Sequence, residues 1–135
     1  MRYLLDTNIC IYAQKGVRSV CEQIKRNMDE GIAISVITLA ELEYGLGKSQ
    51  HYARSRLALE KFLSPFEILP FDATAAARYG KICADLSMSG TRIGTMDMLI
   101  AAHAYSRGLT VITHNVKEFE RVQGLEIIDW YDTQV

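Results

Sequence analysis

Short apolar runs alternate along the chain with longer segments of helical character. Runs that stay almost continuously apolar over three to five positions are typical of strands buried on both faces. Five such runs are present, at residues 3–5, 32–36, 66–69, 109–112 and 125–128. Because they largely lack the alternation of half-exposed strands, they predict a mostly parallel sheet covered by helices on both sides.

The segments between the runs carry helix signals. Apolar residues repeat at i, i+3, i+4 and i+7, and residues such as Asp72 and Gly108 suit the start and the end of a helix. Helices are predicted over residues 17–28, 50–63, 72–88 and 95–108, with a further one after each of the second and fourth strands. The order β-α-α-β-α-α-β-α-α-β-α-β predicts an α/β fold, a compact three-layer α/β/α sandwich.

Length and charge narrow the class of protein. The chain has 135 residues and suits one domain over residues 1–135. Fifteen basic and sixteen acidic residues give a net charge of −1, which excludes a generally basic nucleic-acid binder. Any contact with nucleic acid would need a local patch or a cation.

The sequence also indicates the cellular location of the protein and the redox state of its cysteines. No apolar run approaches the roughly 20 residues of a membrane span. The three cysteines, Cys10, Cys21 and Cys83, are widely spaced and form no CxxC pair. They fit free thiols in a reducing compartment and no zinc site. A cytoplasmic protein with no membrane partner is expected.

Polar oxygen-bearing residues follow three of the predicted strands. Asp6 comes directly after the first strand, Glu41 lies five residues beyond the second, and Asn115 follows the fourth. Asp97 lies near the start of a predicted helix. Ligand sites of open α/β sheets form beyond the carboxyl ends of strands, so these residues can converge on one cleft.

Such a cluster favours a cation. Two carboxylates about 4 Å apart repel by roughly 4 kcal/mol at an effective dielectric constant of 20. An all-oxygen donor set suits Mg²⁺ or Mn²⁺ rather than zinc. The positions therefore indicate a candidate hydrolytic metal site.

Each residue of this cluster also has a purely structural explanation. Asp6 can cap the following helix, and Thr38 with Glu41 fits an S/T-x-x-E capping box. Asp97 can complement a helix dipole. Asn115 can cap a helix over residues 116–122. These explanations treat each residue separately and do not account for their shared position at one end of a sheet.

Four ordered motifs at these residues resemble a known family. They are LLDTN at 4–8, SVITLAEL with Gly45 at 35–45, GTRIGTMDMLIA at 90–101 and THNVKEF at 113–119, followed by Asp129-Trp130. The chain resembles the PIN-domain ribonucleases, and specifically the VapC toxins of bacterial toxin–antitoxin systems. The motifs cover essentially the whole chain.

The resemblance implies a PIN-like sandwich and a Mg²⁺- or Mn²⁺-dependent endoribonuclease toxin. Asp6 and Asp97 would be metal ligands, and Glu41 a ligand directly or through water. Supporting hydrogen bonds to Asp6 and the attacking water would come from Thr7, Asn8 and Thr113. The substrate would be RNA, commonly tRNA, with the initiator tRNA as one candidate. The partners would be a VapB-type antitoxin, with which it would form a higher hetero-oligomer, and a second copy in a homodimer.

One position departs from the family pattern. Many PIN domains have a fourth acid where this chain has Asn115. This amide can support the site by holding water or a neighbouring side chain, but it supplies no charge. We therefore expect one well-occupied cation, with a second only when substrate phosphate helps to bind it. Glu118 and Glu120 lie nearby in sequence and could compensate. Arg92, between Gly90 and Gly94, could contact a substrate phosphate or could be an ordinary solvated loop arginine.

Three further features have open interpretations. His103 is expected to be structural, and His114 either contacts substrate or is a loop histidine without a partner. Four apolar residues could form an exposed groove in a region that resembles the antitoxin-binding and dimer surface of VapC toxins. Ordinary core packing explains the same residues equally well. The groove residues would be Tyr44, Leu46, Leu57 and Phe62.

Two other functions fit part of the pattern. A phospho-acceptor receiver domain is also an α/β sandwich with an acidic Mg²⁺ pocket, and Asp72 could serve as its acceptor. A lysine directly after a late strand is missing, however. A catalytically silent PIN-like module that binds RNA or protein is the second alternative, and the intact Asp6, Glu41 and Asp97 set speaks against it.

Overall fold

The structure, a computed structural model, describes residues 1–132 and contains a single five-stranded sheet within them. The strands are β1 (Tyr3–Leu5), β2 (Ile32–Ser35), β3 (Glu67–Leu69), β4 (Thr110–Ile112) and β5 (Ile127–Ile128). Their order across the sheet is β3-β2-β1-β4-β5, and every pairing is parallel. The predicted parallel sheet is confirmed.

Helices connect the strands in the predicted order. They are α1 (Thr7–Gln14), α2 (Arg18–Asn27), α3 (Val36–Gly47), α4 (Tyr52–Leu63), α5 (Ala73–Met88), α6 (Thr95–Arg107) and α7 (Val116–Phe119), with a short 3₁₀ turn at Met28–Glu30. None of these helices is long and apolar enough to cross a membrane. The three cysteines are free thiols.

Alternate side chains of the strands enter two separate cores. Leu4, Ala33 and Val111 pack with residues of α5, α6 and α7, whereas Leu5 and Ile34 pack with residues of α1 to α4. The sheet is therefore covered on both faces, which explains why its strands read as continuous apolar runs. The three-layer sandwich is confirmed.

Local capping decides where two helices begin. Asp72 accepts the Ala75 N–H at 2.9 Å and starts α5 where predicted. The predicted capping box at Thr38 and Glu41 is wrong. Ser35 caps α3 instead, by accepting the Ile37 N–H at 3.0 Å, so the helix begins directly after β2. Thr38 and Glu41 lie inside the helix, where their side chains are free for other contacts.

The sheet order places a crevice between β1 and β4. The chain proceeds from β1 to β2 on one side, while β4 lies on the other side of β1. Ligands of open α/β sheets bind at such a switch point, beyond the carboxyl ends of the strands. Asp72, by contrast, follows the edge strand β3, and its carboxylate caps α5. The acceptor that the receiver-like alternative requires therefore lies outside the central crevice.

Candidate active site

Asp6 ends β1 and is fixed through both carboxylate oxygens. Oδ1 accepts the Ile9 N–H at 2.9 Å and so caps α1, while Oδ2 accepts a hydrogen bond from the Thr113 hydroxyl at 2.5 Å. The residue is only 3% exposed. The capping role is therefore real, but it uses one oxygen and leaves the second carboxylate oxygen aimed across the crevice toward the end of β4.

Thr113 and Asn115 connect Asp6 to Asp97. The buried Thr113 hydroxyl also accepts the Asn115 N–H at 2.9 Å, and the Asn115 side-chain amide donates to Asp97 Oδ2 at 3.2 Å. Asp97 is the third residue of α6. Asn115 occupies the predicted N-cap position of α7, but its side chain makes no capping bond. The helix spans only Val116–Phe119 rather than residues 116–122.

Glu41 approaches the crevice from α3. Its Oε1 accepts a hydrogen bond from the Thr7 hydroxyl at 2.5 Å, and the buried Thr38 hydroxyl lies 3.4 Å from that of Thr7. We expected Thr7 to orient Asp6, but the structure gives its hydroxyl to Glu41 instead. Thr7 therefore joins the start of α1 to the acid on α3.

The negative charges around the crevice act on Asp6 and Asp97. Burial raises the pKa of Asp6 to about 6, and the charges of Asp97 and Glu41 add to this effect against the hydrogen bonds from Thr113 and Ile9. The pKa of Asp97 is also raised, first by burial and then by Glu41, although the Asn115 amide opposes the shift. The crevice thus concentrates negative charge in a poorly hydrated place.

This donor set fits a hard divalent cation. Within residues 1–132, no three Asp, Glu, His or Cys side chains are already grouped to hold one ion together. Mg²⁺ nevertheless needs only one or two carboxylates, since it keeps several waters and takes substrate phosphate oxygens. Two buried or half-buried carboxylates with raised pKa values supply that need.

A further acid acts electrostatically on the crevice near the position of the missing fourth acid. The charge of Glu118, on α7, also raises the pKa of Asp97, so its carboxylate acts on the same crevice. Glu120 is exposed at the end of α7. Of the two acids expected to compensate for Asn115, only Glu118 is seen to influence the site.

A buried hydrogen bond behind the acids was not predicted from the sequence. The Ser35 hydroxyl, which caps α3, also lies 2.7 Å from Nδ1 of His103 on α6. Both side chains are buried, and burial lowers the pKa of His103. The pair joins the helix that carries Glu41 to the helix that carries Asp97. A serine directly after an apolar run signals a cap, but nothing local signals a partner 68 residues away.

Several predicted residues lie apart from this network. Asn8 and Arg92 are exposed, and the Arg92 carbonyl accepts a hydrogen bond from Arg121 at 3.2 Å. The proposed apolar groove is not formed as expected. Of its four residues, only Leu46 lines the cavity of about 360 Å³ between α1, α3 and α4. Tyr44 and Leu57 are each 68% exposed, and Phe62 packs on Phe66.

Comparison with known proteins gives consistent matches along nearly the whole chain. The PIN domain family model matches residues 3–125. The chain is 44% identical over 131 residues to the tRNA(fMet)-specific endonuclease VapC of Shigella flexneri, covering 96% of this chain and 98% of the relative. It is also 44% identical over 132 residues to ribonuclease VapC2 of Haemophilus influenzae, with the same coverage.

Solved structures agree. The fold superposes on the crystal structure of VapBC2 from Rickettsia felis, bound to a DNA fragment from their promoter, with a TM-score of 0.92. The two chains are 40% identical, and the match covers 96% of this chain and 99% of the other.

Proposed function

Since the chain belongs to the PIN domain family, we propose that it is the toxin of a type II toxin–antitoxin system and a Mg²⁺- or Mn²⁺-dependent endoribonuclease. The observation that supports this activity is the electrostatic coupling of Asp6, Glu41 and Asp97 at the carboxyl edge of a parallel sheet. Carboxylates that repel one another at a ligand-binding crevice are suited to a cation that brings a phosphodiester with it.

Each side chain has a distinct task. Asp6 and Asp97 would hold the cation, and Glu41, turned by Thr7, would hold it directly or through water and orient the attacking water. When bound, the ion lowers the pKa of water and offsets charge that develops on the phosphate. Thr113 keeps Asp6 in place from the other wall. The products would carry 5′-phosphate and 3′-hydroxyl ends.

The proposed substrate is tRNA, and the initiator tRNA in particular. A relative that is 44% identical over nearly its whole length is named a tRNA(fMet)-specific endonuclease. Exposed Arg92 lies in the loop that leads into α6 and Asp97, where its guanidinium can contact a phosphate beside the cleaved bond.

The proposal is tested with the purified chain and transcripts of initiator and elongator tRNAs. We expect one discrete cut in Mg²⁺ or Mn²⁺, a 5′-phosphate at the new end, loss of cleavage in EDTA, and recovery in excess Mg²⁺. No cleavage of any RNA in either metal would favour a catalytically silent PIN-like module. Cleavage that resists EDTA would rule out the metal-dependent mechanism.

Asn115 limits the number of tightly bound ions. Asn115→Asp is expected to create a second tight Mn²⁺ site, because a fourth carboxylate joins the crevice. In EDTA the same variant is expected to lose about 1 to 3 kcal/mol of stability, since the bond to Asp97 becomes a like-charge contact. Calorimetric titration with Mn²⁺ and thermal melting measure the two effects. Two tight sites in the RNA-free wild type would contradict the one-ion expectation.

We further propose two protein partners. The structural relative from Rickettsia felis is a VapBC complex, and the cavity between α1, α3 and α4 includes Glu41 in its lining, so an antitoxin segment bound there would reach the acids. Exposed Val36, Ala40 and Tyr44 form a stripe along α3 at i, i+4 and i+8, which suits a second copy in a homodimer. A higher hetero-oligomer follows from the two contacts together.

We also propose that residues 1–135 form one domain, because all five strands belong to one sheet. An RNA substrate implies that this domain acts in the cytoplasm. The net charge of −1 then implies that RNA binding depends on the cation that masks the acids.

A further inference from the structure

Three rings form a contiguous group at the carboxyl edge of the sheet. Tyr131 lies 4.4 Å from His114 and 4.7 Å from Tyr12, measured between ring centroids, and Tyr12 meets His114 nearly edge-on at 5.9 Å. We call Tyr12, His114 and Tyr131 the aromatic cluster. All three residues are half-buried, so each ring keeps a solvent-accessible part.

One carboxylate contacts both the ring of His114 and the backbone of Tyr131. Asp129 Oδ2 lies 2.8 Å from His114 Nδ1, and Oδ1 accepts the Tyr131 N–H at 2.8 Å. Between them, buried Trp130 packs on Tyr3 with a centroid distance of 5.2 Å. The cluster is therefore ordered before any ligand arrives, so a planar ligand could bind without the entropy cost of ordering the rings. His114 was expected to contact substrate or to lack a partner; it has one.

The cluster adjoins the proposed catalytic crevice. His114 stands in the chain between Thr113, which holds Asp6, and Asn115, which holds Asp97. Tyr12 lies on α1, the helix that Asp6 caps. His114 is thus the residue between the two that contact the acids, so the cluster borders the crevice.

The chemistry of the cluster suits a base better than a phosphate. Its fixed charge is the carboxylate of Asp129, which repels phosphate oxygens, whereas aromatic faces attract the uncharged face of a nucleobase. Proteins that recognise RNA stack unpaired bases on Tyr and His rings, and this contact is worth roughly 5- to 150-fold in affinity for each base.

On this basis we propose that the aromatic cluster stacks an unpaired nucleobase next to the cleaved phosphodiester, and so restricts cleavage to single-stranded loops. The inference rests on the proposed ribonuclease function and adds a specificity determinant to it.

The test uses RNA hairpins that carry the single-stranded loops of the initiator tRNA, and the cut site in the cleaved hairpin is mapped first. Abasic nucleotides are then placed on either side of that site, one at a time. We expect the wild type to lose roughly 5- to 150-fold in kcat/KM with one of the two abasic hairpins. Tyr131→Leu should lose a similar factor on the intact hairpin and nothing further on that abasic hairpin, because variant and abasic site remove the same contact.

Two more variants separate stacking from folding. His114→Gln retains an amide that can donate to Asp129 but removes the ring, and it should behave as Tyr131→Leu does. Tyr79→Leu removes a half-buried tyrosine from the opposite core and should leave kcat/KM and the abasic effect unchanged.

The outcomes distinguish the inference from the function on which it rests. If the wild type cuts no RNA in Mg²⁺ or Mn²⁺, the ribonuclease proposal falls and the base-stacking role falls with it. If the wild type cuts the hairpin, but His114→Gln and Tyr131→Leu cut it equally well, the base-stacking role alone is overturned. The base-stacking role is overturned too if the loss in kcat/KM from the abasic site and the loss from the substitution multiply independently.

Discussion

Asp6→Asn is expected to abolish RNA cleavage while it raises the melting temperature of the metal-free protein at pH 7. The asparagine keeps a carbonyl oxygen that can accept the Ile9 N–H, so the cap of α1 survives. What disappears is a buried negative charge beside Asp97 and Glu41. The same charge that holds the cation thus destabilises the empty fold.

The size and pH dependence follow from the pKa of Asp6. It is about 6 in the folded chain against an ordinary 3.8, and each pKa unit is about 1.4 kcal/mol. Ionised Asp6 therefore costs the fold on the order of 3 kcal/mol at pH 7. Allowing for a weaker bond to Thr113, Asp6→Asn should gain about 1 to 3 kcal/mol, or roughly 3 to 10 °C.

The gain should shrink as the pH falls from about 6 toward 4, because the folded wild type takes up its proton before the unfolded chain does. Melting curves in EDTA at several pH values measure this. Asp72→Asn is the matched control, since Asp72 caps α5 in the same way but is exposed. It should shift stability by less than about 0.5 kcal/mol and leave cleavage intact. A lower melting temperature for Asp6→Asn at pH 7 would contradict the repulsion argument.

The elements could be predicted because their signals are local. Apolar runs located all five strands to within about two residues, and Asp72 and Gly108 marked helix ends where the structure has them. The predicted start of a helix was wrong where two neighbouring residues could both serve as its N-cap. Ser35 and Thr38 both suit an N-cap, and the earlier one is used because the chain turns directly after β2.

The site was predictable in its acids but not in its hydrogen bonds. The order of strands and helices along the chain is enough to place three acids at the same edge of the sheet. They lie near the ends of β1 and β2 and at the start of α6. Asn115, by contrast, looked like a helix cap, yet its amide bonds to Asp97, which is 18 residues earlier. The partners of His103 and His114 are likewise distant in sequence. Such pairings depend on packing between layers, which local patterns do not encode.

Asp97→Asn should separate cation binding from fold stability. The carbonyl oxygen of the substituted side chain can still accept the Asn115 amide, so the crevice keeps its geometry while it loses a ligand charge. Because burial and Glu41 raise the pKa of Asp97, the metal-free variant should melt slightly above the wild type. Mn²⁺ stabilises a protein that binds it only when folded, by about 2.7 kcal/mol at 100 times its Kd. The variant should lose most of this stabilisation.

Cleavage should fall with the lost cation. The ion is expected to supply several kcal/mol of transition-state stabilisation, and a loss of about 4 kcal/mol corresponds to roughly a thousandfold in rate. Asp85→Asn is the control, because Asp85 is an exposed acid of α5 paired with Lys81 at 3.5 Å. It should retain both the Mn²⁺ shift and cleavage. If Asp97→Asn kept both, the cation would have to be held elsewhere. Loss of cleavage with a full Mn²⁺ shift would make Asp97 a positioning residue rather than a ligand.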